Sequence, residues 1–323
     1  MSPVRLQQNS ETCAPRLTRH QPRRVLVCLL FLVLLTVLLS PAARASSLSA
    51  NEARKLIAGV AGSSLKKGAV HVGAISAGAA TGAEATAEID LPFRFEQDEQ
   101  TDWHVAEIRT GQDSWEDVPL LLQVVHAELE SGACAQPDLS LKKKQATDLS
   151  VKRARCLLAN LLGIQLPSDA VRVKSISGFG LPLVSHQSAL VVARIEVSFR
   201  FSRDKGGWRV SGIRTGNRAW ADPQAIVAEV NKEKAARARI EIQAIATALE
   251  AFRAQRGSYV EAKTEAVLID FLSPAYLSHV SRLDPWRWPY RYEGTRDRFS
   301  LRSTGPDGKD NTADDVVLNG PVR

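Results

Sequence analysis

The chain has 323 residues, of which 44% are hydrophobic and 24% are charged, and its formal net charge is +7. This composition excludes a chain that is disordered throughout and allows two or three domains. Residues 1–45 hold six arginines and a single glutamate, so most of the positive excess belongs to the N-terminal segment. We therefore predict no nucleic-acid partner.

The N-terminal segment is typical of an export signal. Arginines precede an apolar run at 25–39, and Ala43-Arg44-Ala45 supplies small residues for a cleavage site after Ala45. As a helix the run would span roughly 22 Å, which is short of the ~30 Å hydrocarbon core of a bilayer. We predict a cleaved signal at 1–45 and a periplasmic or extracellular protein. A retained inner-membrane anchor is the alternative.

Export would permit disulfides. Cys13 and Cys28 belong to the predicted signal, so Cys134 and Cys156 remain as an even pair on either side of a polar stretch, 135–150. We predict a disulfide between them. Two unpaired cysteines that behave as small apolar residues are the alternative.

Two parts of the remaining chain repeat each other. WHVAEIRTGQDSWEDV, from Trp103, corresponds to WRVSGIRTGNRAWADP, from Trp208. Upstream, the blocks ARKLI, AVHVGAIS and IDLPFRF are followed in the same order by ARCLL, AVRVKSIS and IEVSFRF. Several matching blocks at nearly constant spacing indicate an internal duplication. We name the two copies module 1 (46–134) and module 2 (143–230).

Each module predicts the element order α-β-β-β-α. Helical patterns near 50–62 and 143–163 precede strands with alternating, β-branched and aromatic residues. The predicted strands are 69–76, 84–95 and 103–109 in module 1, and 170–177, 188–202 and 207–214 in module 2. Closing helices are predicted from Trp115 and from Trp220. The fold class is therefore α+β, with an antiparallel sheet covered by helices in each module.

Arg109 and Arg214 lie in the Ile-Arg-Thr-Gly block that both modules share. We interpret them as structural arginines that reach helix carbonyls, Asp117 or Asp222. A ligand-binding or enzymatic cleft in the modules is the alternative. The sequence contains no zinc-protease, nucleophile-elbow, dinucleotide-binding or Walker A motif, so we predict no catalytic residues and no enzyme.

A long helix follows module 2. Asp222 is a candidate N-cap, Pro223 suits the first turn, and Gly257 is a plausible stop after Arg256. Apolar residues recur with a helical period along most of this segment. At ~1.5 Å per residue the helix would be about 50 Å long.

The C-terminal part resembles a known family. ARIEIQAIATALEAFRAQRGSYV (238–260) resembles the periplasmic half of the long helix of the type II secretion major pseudopilin, the G-type protein. DPWRWPYRY (284–292) and FSLRSTGPDGKDNTADDV (299–316) are similar to two later signatures of that family. The resemblance implies a domain at 231–323 in which one long helix packs on a small antiparallel sheet, with a hairpin of strands at 289–293 and 298–303.

The resemblance also implies a calcium site in the last loop. The matching ligands are the carboxylates of Asp307, Asp314 and Asp315 and the backbone carbonyls of Thr304 and Lys309. The chemistry of the loop agrees, because calcium takes six to eight oxygen ligands in flexible geometry. Asp310 is expected to stay solvated. From the residues alone, a solvated acidic turn is the alternative.

One departure from the family concerns the N-terminal side of the helix. The family places a short basic leader and an apolar half-helix directly before the periplasmic helix, whereas residues 46–230 separate the two here. We predict an exported, non-enzymatic protein with a structural or interaction role in the cell envelope. Its partners would be proteins of the envelope or the secretion machinery. A membrane-anchored accessory component of a type II secretion or pilus-like system is the alternative.

Overall fold

The computed structural model describes residues 47–77, 82–98, 102–112, 114–125, 149–179, 186–278 and 280–320. Internal contacts divide the chain into Met1–Ser47 and Leu48–Arg323. The predicted signal, its cleavage site after Ala45, and Cys134 lie outside the described residues. No helix within the described ranges combines the length and the apolar character needed to cross a membrane.

The described part of Leu48–Arg323 is a mixture of helices and antiparallel sheets, which confirms the α+β prediction. In chain order the elements are α1 (Ala50–Ala58), β1 (Val70–Ala77), β2 (Gly82–Gln97), β3 (Trp103–Arg109), β4 (Trp115–Asp117), α2 (Val118–Val124), α3 (Val151–Leu162), β5 (Val171–Phe179), β6 (His186–Asp204), β7 (Gly207–Arg214), α4 (Pro223–Arg256), α5 (Ala266–Leu272), β8 (Arg291–Gly294), β9 (Phe299–Ser303) and β10 (Val316–Gly320).

The prediction of a sheet in each module is wrong, because strands from both modules form one seven-stranded sheet. Its centre is the antiparallel pair β2 and β6, which stay in register from Gly82 opposite Ser202 to Glu96 opposite Ser188. On the outer side of β2, β1 pairs with one half and β3 with the other; β5 and β7 divide the outer side of β6 in the same way. Ile89 lies opposite Ile195, and these residues begin the matching blocks IDLPFRF and IEVSFRF.

The two central strands supply the middle of a shared apolar core. Side chains alternate between faces along a strand, so Phe93 and Phe95 of β2 point to the same side and are both fully buried. Phe199 and Phe201 of β6 are buried as well, at 2% and 1% exposure. The core that contains these rings runs from Leu48 to Val210, so it belongs to both modules. Burying each ring stabilises the fold by roughly 1.5–3 kcal/mol.

The predicted helix starts at Trp115 and Trp220 are wrong. A tight turn, in which the N–H of Thr110 donates to the carbonyl of Ser114 at 3.0 Å, places Trp115 opposite Arg109. The chain therefore extends the ladder as β4 before Asp117 caps α2. In module 2, Ala221 forms a bridge with Ile213, and the helix begins only after it.

Helix α4 has the boundaries that the sequence predicts. The Asp222 carboxylate accepts a hydrogen bond from the N–H of Gln224 at 2.9 Å, and Pro223 occupies the first turn. Gly257 ends the helix with a φ of 83°, a left-handed value that glycine adopts without steric cost. The C-terminal half of α4 buries Ile242 and Leu249 in a second core with the three-stranded sheet β8-β9-β10.

Ion pairs join the start of the C-terminal domain to the edge of the large sheet. Lys234 of α4 is only 6% exposed, and its ammonium lies 2.7 Å from the carboxylate of Glu116 on β4. The Asp117 carboxylate lies 3.6 Å from the guanidinium of Arg237. Arg287, from the segment before β8, pairs with Glu107 of β3. Module 2 has Gly212 and Ala221 at the positions of Glu107 and Glu116, so these acids are particular to module 1.

We expect the substitution Glu116→Ala to destabilise the protein strongly. It would leave the buried Lys234 ammonium without its partner, at a cost of about 2–3 kcal/mol, below the ~3–5 kcal/mol of a fully buried pair because Glu116 is partly exposed. The free energy of unfolding from denaturant titration measures this. Glu229→Ala is the control, because its pair with Lys232 is exposed to solvent and should contribute little to stability. Equal losses in the two variants would contradict a role for the buried pair.

Candidate functional site

The predicted calcium loop connects β9 to β10. Its base is closed by the ladder, in which Ser303 pairs with Val316. Ser303 and Thr304 are buried, at 0% and 1% exposure, whereas Asp307 is exposed. Strand β10, which the sequence analysis did not predict, therefore fixes both ends of the acidic segment on the small sheet.

Two glycines allow the loop to fold closely on its surroundings. Gly305 and Gly308 have left-handed φ values of 62° and 65°. A Cβ at Gly305 would lie 2.7 Å from the carbonyl oxygen of Asp314, and one at Gly308 would lie 2.6 Å from the indole of Trp288. Any larger residue at either position would push Asp314 or Trp288 away from the loop.

Oxygens of the predicted ligands surround one hydroxyl group. Thr312 Oγ1 lies 3.0 Å from Asp315 Oδ1, 3.2 Å from the carbonyl oxygen of Lys309 and 3.4 Å from Asp307 Oδ1. The sequence analysis did not identify Thr312, although its position between the aspartates was visible. The structure therefore brings three of the five predicted ligand groups to one point.

Asp314 is held by the backbone near the start of the loop. Its Oδ2 accepts a hydrogen bond from the N–H of Asp307 at 3.4 Å. The hydrogen bond from Thr312 is the main cause that lowers the pKa of Asp314, with smaller contributions from backbone N–H groups and Lys309. The carboxyl group of Asp314 therefore loses its proton more readily than that of an ordinary aspartate.

Arginines supply positive charge to part of the loop. Arg302 Nε lies 3.6 Å from Asp315 Oδ2, and Arg302 Nη1 donates to Asn311 Oδ1 at 2.8 Å. Asp310, which was expected to be solvated only, lies 3.7 Å from Arg291 and 3.9 Å from Arg302. Across the described ranges, no group of three His, Cys, Asp or Glu side chains is arranged to hold a metal ion. The calcium ligands stay a prediction.

A buried aspartate supports the loop from below. Asp284, which begins the DPWRWPYRY segment, is 4% exposed. Its Oδ1 accepts from the N–H groups of Trp286 and Trp288 at 3.0 and 2.9 Å, and its Oδ2 accepts from Ser303 Oγ at 2.5 Å. Burial raises the pKa of Asp284, and these hydrogen bonds together with Lys234 partly oppose the rise. One carboxylate thus ties the start of the loop to the turn that contacts the large sheet.

The shared arginines stack on tryptophans in both modules. The Arg94 and Arg109 guanidiniums lie 4.5 and 5.7 Å from the ring centroid of Trp115. The Arg200 and Arg214 guanidiniums lie 4.3 and 4.5 Å from that of Trp220. Within the described part of the chain, neither Arg109 nor Arg214 pairs with the predicted Asp117 or Asp222. Asp117 instead pairs with Arg237, and Asp222 caps α4.

Only one cysteine of the predicted disulfide lies among the described residues. Cys156 lies in α3 and is disulfide-bonded. Its predicted partner, Cys134, lies outside the described residues, so the pairing stays a prediction.

We expect Asp284→Asn to be tolerated at neutral pH. The amide oxygen of asparagine can still accept hydrogen bonds from the N–H groups of Trp286 and Trp288, and the substitution removes a buried charge. Because the pKa of Asp284 is raised in the folded state, the stability that its protonation contributes is present below the unfolded pKa of 3.8 and is lost as the pH rises through the folded pKa. The free energy of unfolding of the variant should therefore exceed that of the parent at pH 7, and this difference should disappear near pH 3.5.

Denaturant unfolding at the two pH values measures the effect. Asp284→Ala is the control, since it strands two backbone N–H groups and should lose roughly 1–3 kcal/mol at either pH. A loss at pH 7 as large as that of the alanine variant would contradict the expectation for asparagine.

Comparison with known proteins bears on the same region. Residues 225–319 match the family model described as type II secretion system (T2SS), protein G. The match contains most of α4, the turn at 284–288 (the Asp284 turn), the acidic loop between β9 and β10, and nearly all of β10. No curated protein and no solved structure matches the chain. The matched part is less than a third of the sequence, and it confirms that the C-terminal domain resembles protein G of the type II secretion system.

Proposed function

We propose that the protein is exported and non-enzymatic, and that its protein G-like domain is stabilised by calcium and serves a structural or interaction role in the cell envelope. The observation that carries the proposal is the match at 225–319, which includes both the acidic loop and the Asp284 turn. The matched family suggests partners among the proteins of the secretion machinery.

Asp307, Asp314 and Asp315, with the carbonyls of Thr304 and Lys309, would hold the calcium ion. The donor set fits the metal, because every group is an oxygen and the loop is bent enough to bring several of them together. Asp307 and Asp314 make no ion pair with a basic side chain among the described residues, and the charge of Lys309 acts on Asp314 only from beyond ion-pair distance, so a nearer positive charge is lacking. Bound calcium supplies that positive charge.

Fixing the loop would also fix the surface that contacts the large sheet. The N–H of Gly305 is 3.3 Å from Ser303 Oγ, which donates to Asp284. Asp284 in turn holds the backbone of Trp286 and Trp288, on either side of Arg287. Arg287 reaches Glu107 on the large sheet. A rigid loop therefore supports the ion pairs through which the C-terminal domain is held.

We infer that the large sheet arose by duplication and acts as the platform for the protein G-like domain. Support comes from the repeated sequence blocks, from the placement of Ile89 opposite its counterpart Ile195, and from the Arg-Trp-Arg stacks around Trp115 and Trp220. Because α4 runs unbroken from the sheet into the C-terminal domain, the two share one rigid element.

A membrane-anchored accessory component is the alternative, favoured by the apolar run at 25–39. N-terminal sequencing of the protein purified from its host decides between the two. A mature start at Ser46 supports export with cleavage, and a start that precedes the apolar run supports the anchor.

We expect calcium to stabilise the full chain. At a calcium concentration about 100 times the dissociation constant, binding to the folded state alone contributes about 2.7 kcal/mol, which corresponds to roughly 5 °C or more in Tm. Thermal melts with calcium, with magnesium and with a chelator measure this. Asp307→Asn should remove the calcium shift, while Asp297→Asn, an exposed aspartate outside the loop, should keep it. Identical melting curves with calcium and with chelator would rule out the site.

A further inference from the structure

We propose that Trp288 couples the acidic loop to the large sheet, so that calcium binding to the loop and the contact between Arg287 and Glu107 strengthen each other. This coupling rests on the calcium site of the proposed function and adds to it a residue that transmits the state of the site. Trp288 directly follows Arg287 in the chain, and its side chain packs on the loop. It is a positioning residue, because it supplies no ligand to the ion.

The indole of Trp288 lies against the part of the loop that carries proposed ligands. A Cβ on Gly308 would lie 2.6 Å from Cε2, 2.8 Å from Cζ2 and 3.0 Å from Nε1 of the ring, so the ring packs directly on the glycine backbone. Gly308 lies between Asp307 and Lys309, which are both proposed ligands. A ring in van der Waals contact cannot move toward this backbone without displacing it. The position of the indole therefore limits the positions that the two ligand groups can take.

The second link between the Asp284 turn and the loop reaches only the base of the loop. Ser303 Oγ donates to Asp284 Oδ2, as described above. Ser303 belongs to β9 and pairs with Val316 of β10, so the strand ladder holds it independently of any ion. The contact of Trp288 is the one made where the ion would bind. It is therefore the contact that can report on the ion.

The Asp284 turn holds Trp288 and Arg287 in one closed conformation. The N–H of Asp284 donates to the carbonyl of Trp288 at 2.7 Å, and the N–H of Arg287 donates to the carbonyl of Asp284 at 2.8 Å. Arg287 has a left-handed φ of 71°, which is unfavourable for a residue with a Cβ. The turn therefore needs outside contacts to stay closed. If it relaxed, the backbone of Trp288 would move and carry the indole with it.

The large sheet supplies one of these outside contacts. Arg287 Nη2 meets Glu107 Oε1, while Arg94 Nη1 meets Oε2 of the same carboxylate, whose side chain is 14% exposed. Without Glu107 the two guanidiniums would face each other with no carboxylate between them, and Arg287 would be released. A contact that favours the calcium-binding form of the loop is itself favoured by calcium, by the same factor.

Calorimetric titration of calcium into the full chain tests the coupling. Glu107→Ala should weaken calcium binding at least about fivefold, the lower end of typical coupling between sites, although Glu107 is not a ligand. Glu84→Ala is the matched control, because Glu84 also lies on the large sheet and pairs with an arginine, Arg200, at 2.8 Å. It should change the calcium affinity less than about twofold, since its pair is exposed and lies within the sheet.

A double-mutant cycle tests whether Trp288 is the link. In a Trp288→Ala background the ring that transmits the state of the turn is gone. Glu107→Ala should then change the calcium affinity less than about twofold, because two residues in one chain of contacts are not additive. An unlinked pair would instead show the same loss from Glu107→Ala with and without the indole.

Two variants at position 287 keep the test informative if Glu107→Ala misfolds. Arg287→Ala and Arg287→Gly both remove the guanidinium, but glycine adopts the left-handed φ without steric cost. The glycine variant should therefore keep the turn closed more often and bind calcium at least about threefold more tightly than the alanine variant.

The coupling is overturned if the parent binds calcium and Glu107→Ala binds it equally well, or if Glu84→Ala loses as much affinity. It is also overturned by an undiminished effect of Glu107→Ala in the Trp288→Ala background, or by equal affinities of the two variants at 287. Each of these results leaves the calcium site itself standing. A parent chain that shows no calcium binding overturns the site and the coupling together.

Discussion

The antiparallel pairing of β2 with β6 is the contact on which the rest of the structure depends. It joins the two modules along almost the full length of both strands, from Gly82 and Ser202 to Glu96 and Ser188. The paired strands bury phenylalanines from both modules in one core. Neither module covers its own apolar face alone. The short outer strands, the turn that ends in β4 and the starting point of α4 all take their positions from this central pair.

The charged edge of module 1 determines how the C-terminal domain is held. Lys234 and Arg287 approach the sheet from two different elements, and each meets an acid of β3 or β4. The Lys234 ammonium is removed from water, so the contribution of the pair depends on both partners being present. Asp284 extends the same network to the acidic loop through Ser303. Stabilising the loop and holding the domain on the sheet are therefore physically connected through a few buried polar groups.

Comparison of the two modules shows how similar sequences take on different tasks. Module 1 carries Glu107 and Glu116, which bind the C-terminal domain, and its Arg109 is satisfied by its own turn. Module 2 lacks both acids and instead continues directly into α4. Its Arg214 has a buried donor without an acceptor beside a cavity. One module thus provides a docking edge, and the other provides the helix.

The sequence by itself determined those features that depend on neighbouring residues. Asp222, Pro223 and Gly257 predicted both ends of α4, and alternation predicted the strands of both modules within a few residues. The family signatures identified the C-terminal domain. Only the tertiary structure decided that the modules share one sheet, because strand pairing between distant segments leaves no local pattern. It also decided that Thr312 lies among the loop oxygens and that Arg214, unlike Arg109, lacks an acceptor, since both depend on backbone turns that the residue types do not specify.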